Sequence, residues 1–189
     1  MKAWCGAIVA LALLAPLCAA VAAQRWHLLA PDSRLDFIYL LQGQEVAGHF
    51  TRFEADILFD PNDLAASHIA VDIDLASARA GDGERDAMLA EKDWFHVSAH
   101  PLARFQTTDF EALGGGRYRA HARLSIKGMT REVVLPFRLM IRDDIAHATG
   151  SLVLERTRFD IGSGGWAKGD VVGLPVRVIV DIKARRGAD

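Results

Sequence analysis

The histidines are the first residues with the chemistry for a site, because imidazole nitrogens are common metal ligands. His96 and His100 are four residues apart, so they would reach one metal ion only from a helix. Pro101 follows directly and pushes residue 100 toward extended geometry. No acidic residue completes a recognisable zinc motif. We therefore predict no metal site.

Ser163 lies in the glycine-rich run GSGG at 162–165, where a nucleophile or a phosphate-binding loop could be sought. No strand–turn–helix of the nucleophile-elbow type surrounds it. The run also lacks the Lys-Ser/Thr ending and the strand–loop–helix setting of a phosphate loop. A sharp turn before the last strand explains the glycines better. The sequence thus predicts neither serine catalysis nor a cofactor.

The elements that would position any site are strands, and two of them can be paired from the sequence. Lys127 and Gly128 form a two-residue turn signal between the alternating runs 118–126 and 129–141. This turn pairs residues whose numbers sum to 255, which places Arg123 opposite Glu132 on the solvent-exposed face. A slip of one residue would exchange the two faces. The predicted apolar pairs are Tyr118 with Phe137, Ala120 with Leu135, Ala122 with Val133, and Ile126 with Met129.

A second turn at Asp143 and Asp144 extends the sheet, with paired numbers that sum to 287. Very small residues then collect on the inner face, although protein interiors normally pack densely. Either a ligand or a large side chain such as Trp94 or Trp166 fills that space, and the pattern leaves both alternatives open. The residues predicted on this face are Val133, Leu135, Phe137, Leu139 and Ile141, opposite Leu154, Leu152, Gly150, Ala148 and Ala146.

The same registers place Arg131 opposite Arg156, on the face of Val133 and Leu154. Two cations at the end of an apolar wall could hydrogen-bond the polar head group of a ligand. The pattern favours the alternative that both side chains extend out of the barrel mouth or pair with acidic residues.

The first 23 residues have the features of a secretory signal, with Lys2, an apolar core and small residues before Gln24. Removing 23 of the 189 residues leaves 166, which suits one domain, 24–189. Both cysteines, Cys5 and Cys18, lie in the signal, so the remainder has no disulfide and no thiolate site. No later stretch approaches the length of a membrane span.

The charge balance excludes one class of partner. Without Lys2, the chain has 21 basic and 24 acidic residues, a formal net charge of −3. That balance gives no electrostatic reason to expect nucleic acid or an anionic membrane as partner.

Period-two alternation continues along the chain at 35–41, 53–59, 69–73, 104–113 and 176–184. The run GERDAMLAEK at 83–92 reads instead as a short helix with Asp82 as its N-cap. The aromatic cluster at 94–95 follows it and should cover apolar surface. About eight antiparallel strands predict an all-β barrel, with this one short helix near its mouth. A two-sheet sandwich is the alternative.

Several segments, in this order, resemble the YceI-like family of secreted, lipocalin-like barrels. They are 26–37, VAGHFTRF at 46–53, MLAEKDWF at 88–95, LSIKGMTR at 124–131, RFDIG at 158–162, and Gly165-Trp166. The resemblance covers nearly the whole chain after the signal. It implies a periplasmic eight-stranded barrel that encloses a long apolar molecule, such as a polyisoprenoid or an isoprenoid quinone.

We therefore predict a periplasmic lipid carrier without catalytic activity, whose ligand is held by burial of apolar surface. The alternatives are an interaction module that partners a membrane redox protein, with an exposed apolar patch near Trp166, and an enzyme acting on a lipophilic substrate. The oligomeric state stays open, with a homodimer among the alternatives. The candidate ligand-binding residues are Phe37, Tyr39, Phe53, Ala120, Ala122, Val133, Leu135, Phe137, Leu139, Ala148, Gly150, Leu152, Leu154 and Val178, with Arg131 and Arg156 at the head-group end.

Overall fold

The alternating segments form strands throughout the part of the chain that the structure describes. A computed structural model describes residues 23–187, so the expected signal segment, apart from Ala23, lies outside the described residues. The strands are β1 (Arg25–Leu28), β2 (Arg34–Leu41), β3 (Gln44–Phe50), β4 (Phe53–Leu58), β5 (His68–Asp74), β6 (Ala78–Arg79), β7 (Leu102–Gly114), β8 (Arg117–Ile126), β9 (Met129–Arg142), β10 (Ile145–Glu155) and β11 (Val172–Arg186). Between residues 23 and 187, no helix combines the length and apolar character that a bilayer span requires.

Strand β1 closes the sheet into a barrel, because it pairs with β4 on one side and with the end of β11 on the other. The closed ring contains eight strands in the order β1-β4-β5-β7-β8-β9-β10-β11. Strands β2, β3 and β6 extend from β11 as a branch. The predicted eight-stranded antiparallel barrel is confirmed, and the two-sheet sandwich is wrong. A ring of eight strands leaves an interior just wide enough for side chains or one small ligand.

The β8–β9 hairpin has the predicted register along its whole length, from Arg117 opposite Arg138 to Ile126 opposite Met129. Lys127 and Gly128 both have positive φ, 50° and 76°, as a twisted two-residue hairpin turn requires. On the outer face, the hydroxyls of Ser125 and Thr130 lie 2.7 Å apart. Alternation and turn chemistry therefore sufficed to fix this part of the wall.

The β9–β10 register is confirmed only from Ile145 opposite Arg142 to Gly150 opposite Phe137. The predicted continuation, in which Leu152 pairs with Leu135 and Leu154 with Val133, is wrong. The next partner on β9 would be Pro136, which has no N–H to donate to a ladder. Arg156 lies beyond the end of β10, in a 3-10 turn at Arg156–Phe159, so the predicted pair of Arg131 and Arg156 does not form.

One helix, α1 (Gly83–Ala90), packs near β6. The Asp82 carboxylate caps it by accepting from the Arg85 backbone N–H at 2.9 Å, as predicted, although the helix ends two residues before the predicted boundary at 92. The chain then folds back, and the Phe95 N–H donates to the Leu89 carbonyl at 3.0 Å. Phe95 is buried and packs against Leu75, Leu124 and neighbouring apolar residues. The segment after the helix therefore covers one end of the barrel.

Aromatic rings close the other end. The ring of Phe59 meets Phe110, Tyr118 and Phe137 edge to face, with centroids 5.2, 5.5 and 6.3 Å away. The Trp26 indole N–H donates to the Phe59 carbonyl at 2.9 Å, which ties the start of the barrel into this cluster. Such arrangements add stability beyond the burial of area. The core is thus divided into two end clusters with space between them.

Candidate ligand-binding site

The space between the end clusters is a cavity of ≈ 210 Å³, and every residue that lines it is apolar. A smaller cavity of about 150 Å³ lined by Leu, Ile and Phe stays dry and binds benzene. The present cavity therefore has the volume and the surface to hold hydrocarbon rather than water. Nine predicted residues line it: Phe53, Ala120, Leu135, Phe137, Leu139, Ala148, Leu152, Leu154 and Val178.

Two small residues on adjacent parts of the wall keep this space open. Ala120 faces Phe110 across the β7–β8 ladder, and Ala148 faces Leu139 and Ile182 from its two neighbouring strands. Both alanines line the cavity, as does Ala146. Trp94 and Trp166, the large side chains considered as fillers, do not line it. Neither ring therefore occupies the space beside Ala120, Ala146 and Ala148.

Several lining residues were missed by the sequence analysis because the pairing arithmetic reached only β8, β9 and β10. The remaining wall comes mainly from β1, β4, β5, β7 and β11, with single residues from β2, β3 and the segments that cover one end. Alternation was visible in these strands, but only Phe53 and Val178 of their lining residues were predicted on the wall. These residues include Trp26, Ile57, Phe59, Ile69, Val71, Phe105, Val180 and Ile182. Their period-two spacing was the available signal.

Phe37 and Tyr39 do not line the cavity, so their predicted placement on its wall is wrong. Both lie on β2, which branches from the closed ring and contributes only Leu35 to the cavity wall. The Phe37 ring packs against Phe50 at 5.3 Å and against Tyr39 at 6.2 Å. It also covers Gly48 so closely that a Cβ built there would lie 2.3 Å from Phe37 Cζ. Phe37 therefore packs against the backbone of β3.

Ala122, Gly150 and Val133 were also predicted on the cavity wall, and none of them lies there. Ala122 is buried on β8 opposite Thr107, next to a register shift in β7. Gly150 permits close approach of two backbones, because a Cβ there would lie 2.5 Å from the Pro136 carbonyl oxygen. Val133 instead lines an outer groove between β9 and β10.

Arg131 also lies in that outer groove and not at the end of the cavity wall. Its guanidinium donates to the carbonyl of Thr130 at 2.9 Å. Among residues 23–187, no carboxylate lies within ion-pair distance of it. The placement of Arg131 beside Arg156 as a pair facing a ligand is therefore wrong.

Arg156 is 2 % exposed and is bound entirely by backbone carbonyls. It donates to Gly173 at 2.9 Å, Ile161 at 2.8 Å, Gly162 at 2.9 Å, Val172 at 2.7 Å, and to Trp166. Burial lowers the pKa of this guanidinium from its usual value, yet an arginine stays charged at neutral pH. Arg156 thus organises the segment between β10 and β11, and the prediction that it faces a ligand head group is wrong.

The apolar patch predicted around Trp166 is partly covered by packing within the protein. The Trp166 ring is half-buried and packs against Trp94, with centroids 5.6 Å apart. The Asp93 carbonyl accepts from the N–H groups of Gly162 and Ser163 at 2.7 and 2.9 Å, so the two segments are joined by their backbones as well. Within the described residues, no group of three or more His, Cys, Asp or Glu side chains could hold a metal ion.

The fold and the cavity together define a small closed barrel of the lipocalin-like class. The sequence model of the YceI-like domain matches residues 26–184. The chain therefore belongs to the YceI-like family.

Curated relatives match part of the chain. A UPF0312 protein of Photorhabdus laumondii is 32% identical over 93 residues, which are 49% of this chain and 48% of the relative. A UPF0312 protein of Vibrio cholerae is 28% identical over 90 residues, 48% of each chain. This chain spans about half the length of the curated relatives it matches.

Solved structures extend the similarity to most of the barrel. Burkholderia cenocepacia BcnA superposes with a TM-score of 0.80 at 26% identity, covering 82% of this chain and 98% of that one. A polyisoprenoid binding domain from Saccharophagus degradans gives a TM-score of 0.69 at 13% identity, covering 88% and 99%. The second likeness shows the fold alone.

Proposed function

We propose that this protein is a periplasmic carrier that encloses the apolar tail of a lipid, a polyisoprenoid or an isoprenoid quinone, in its barrel. The observation that carries the proposal is the ≈ 210 Å³ cavity, whose lining contains no polar residue. Membership of the YceI-like family and the fold shared with a polyisoprenoid binding domain support it. The signal-like segment at 1–23 supports the periplasmic location.

The binding energy in this proposal comes from transfer of hydrocarbon out of water. At about 25 cal/mol per Å² of apolar surface, burial of a few hundred Å² supplies several kcal/mol. A cavity that already exists lowers the ordering cost that binding would otherwise carry. A tail longer than the cavity must either widen the barrel or extend out of it.

The same lining supports the non-catalytic part of this proposal. General acid–base or nucleophilic catalysis requires a titratable or nucleophilic side chain within hydrogen-bond reach of the substrate. The cavity wall offers none. A substrate inside the barrel would therefore meet only hydrocarbon, which supports binding rather than turnover.

The test is mass spectrometry of organic extracts from the protein purified without detergent from a periplasmic fraction. We expect one isoprenoid-class lipid, a polyisoprenoid or an isoprenoid quinone, at a near-stoichiometric level. A protein that is exported, folded and free of lipid, and that stays empty after incubation with isoprenoid vesicles, would contradict the proposal.

A further inference from the structure

The barrel wall has an opening between β9 and β10, on the side of Pro136. Both strands continue past their last ladder pair, Gly150 and Phe137, but no pair joins 129–136 to 151–155. Each strand keeps its other neighbour there, since β9 pairs with β8 and β10 with β11. We call the resulting gap the β9–β10 cleft. It has a volume of ≈ 420 Å³ and is bounded by residues 131–134 and Pro136 of β9 and by Ser151–Glu155 of β10 with Arg158 and Phe159.

The cleft and the cavity share part of their wall. Leu152 and Leu154 line both spaces, because each side chain reaches from β10 into the interior at the point where β9 has moved away. Together with Val133 and Phe159, which line the cleft and pack in the core cluster at this end, they separate the interior from the outside at this position. Leucine side chains change rotamers without breaking a backbone hydrogen bond, so no strand pairing has to be lost for a tail to pass.

The outer rim of the cleft has an exposed apolar side chain on each of its two strands. Val153 is 66 % exposed and Val134 is 42 % exposed, one on each strand. Apolar side chains on both lips would contact a hydrocarbon tail as it leaves the solvent. Charged side chains also lie around the cleft and would stay in water. They are Arg131, Glu132, Glu155 and Arg158.

The two ends of the barrel are closed by packed side chains. Phe59, Phe110 and Tyr118 interlock at one end. Leu75, Phe95 and Phe159 are buried at the other. Passage through either end would require several rings to leave a packed cluster, whereas passage through the cleft requires Leu152 and Leu154 to change rotamer.

A second gap touches the cavity near Leu35, Phe50 and Phe53. Its remaining border consists mostly of polar and ionisable side chains. Its edges are also held by hydrogen bonds, among them Ser33 to the Leu29 carbonyl at 2.8 Å and the Arg52 N–H to Ser77 at 3.0 Å. The ionisable residues at this border are Arg34, Asp36, His49, Arg52 and Glu54.

We propose that the β9–β10 cleft is the lateral passage through which the apolar tail enters and leaves the barrel. The inference rests on the proposed function and adds the route to it. The wall opens where Pro136 ends the ladder, and the tail passes between β9 and β10 over Leu152 and Leu154. A tail longer than the cavity would extend outward through the same gap.

The test links the two lips of the cleft and measures ligand exchange. Val134→Cys and Val153→Cys are introduced together, and a cleavable bismaleimide joins positions 134 and 153 in the purified protein, as peptide mass spectrometry verifies. The probe is tritium-labelled geranylgeraniol, loaded onto the protein and then exchanged against phosphatidylcholine vesicles. Met140→Cys with His147→Cys, linked in the same way, is the matched control, because these ladder partners lie on the same two strands where the wall is already closed.

We expect the link at 134 and 153 to slow both loading and release by about tenfold or more, which corresponds to about 1.4 kcal/mol in the barrier. The equilibrium amount of bound probe should stay the same, and cleavage of the linker should restore the rate in the same sample. The link at 140 and 147 should leave the rate unchanged.

Two outcomes would overturn the proposal, and they are distinguishable. Equal exchange rates with and without the link at 134 and 153, in a protein that binds the probe stoichiometrically, would refute the passage and leave the carrier function standing. If the unlinked and wild-type proteins bind neither geranylgeraniol nor any lipid from vesicles, the carrier function fails and the passage fails with it.

Discussion

The guanidinium of Arg156 lies over the indole ring of Trp94, with its central carbon 5.7 Å from the ring centroid. This contact joins the segment after α1 to the segment between β10 and β11. The positive charge has five carbonyl partners and an aromatic face but no carboxylate within the described residues. A residue expected to meet a ligand is therefore a structural cross-link beside the barrel end covered by Phe95 and Phe159.

Replacing Arg156 should destabilise the protein strongly. Arg156→Met keeps much of the packing on Trp94 but leaves several buried carbonyls without a donor, at a cost of about 3–5 kcal/mol in the free energy of unfolding. Arg156→Lys should recover only part of the lost stability, because an ammonium has three hydrogen-bond donors and lacks the planar fork of a guanidinium. Urea unfolding followed by tryptophan fluorescence measures the effect. Arg158→Met, at an exposed position two residues away, is the control, and equal losses in both variants would contradict this role for Arg156.

Filling the cavity should block ligand retention without unfolding the barrel. Ala148→Phe places a ring in the ≈ 210 Å³ space, where it replaces the ligand instead of overpacking a dense core. We expect retained lipid to fall by about tenfold or more, equivalent to about 1.4 kcal/mol, with little change in the free energy of unfolding. Mass spectrometry of extracts and urea unfolding measure the two quantities.

Met140→Phe is the matched control for that experiment, since residue 140 lies on β9 beside Leu139 but is 42 % exposed. It should retain the wild-type amount of lipid. Unchanged lipid content in Ala148→Phe would place the ligand outside the barrel.

Gly48 should not tolerate even one added methyl group. A Cβ at this position would lie 2.5 Å from the Arg79 carbonyl oxygen as well as against the Phe37 ring, and the backbone atom cannot move aside easily. We expect Gly48→Ala to lower the free energy of unfolding by about 2–3 kcal/mol. Gly165→Ala, where nothing lies within 4 Å of the added Cβ, should change it by less than about 0.5 kcal/mol. Chemical denaturation of both variants measures these changes, and similar losses in the free energy of unfolding would refute the steric explanation.

The pair of Asp72 and Arg104 should contribute a small, pH-dependent stability. Arg104 donates to both carboxylate oxygens at 2.6 and 2.8 Å, and these hydrogen bonds lower the pKa of Asp72 below its usual value of 3.8. A carboxyl group with a lowered pKa stabilises the folded state above its unfolded pKa, and this contribution is lost as the pH falls through the folded pKa. Both side chains are partly exposed, so the contribution is below about 1 kcal/mol.

Asp72→Asn should therefore reduce the free energy of unfolding at neutral pH, and the difference from wild type should vanish well below the usual carboxyl pKa. Urea titrations across the acid range measure it. The same substitution in an Arg104→Gln background should have a much smaller effect at neutral pH. A loss that persists unchanged in strong acid would show that the effect of Asp72→Asn does not come from its charge.

The sequence determined the parts of the wall that depend on local rules. Side chains alternate along a strand with period two, and the turn at Lys127 and Gly128 fixes the offset, so the β8–β9 register followed directly. The proline that ends the β9–β10 ladder was also visible, because a proline within a predicted interior strand argues against continued pairing. Pro136 alone would have sufficed to correct the pairing predicted for Leu152 and Leu154.

Only the tertiary structure decided which small residues leave space. Ala120 and Ala122 both lie on the inner face of β8 by the alternation of side chains, yet only Ala120 lines the cavity. The difference arises because side chains from distant strands occupy the space beside one residue and not beside the other. Gly150 makes room for a backbone oxygen, and Arg156 turns away from the barrel toward five carbonyls on a segment that folds back over it. Alternation assigns a side chain to a face, whereas the volume left beside it depends on long-range packing that no local pattern encodes.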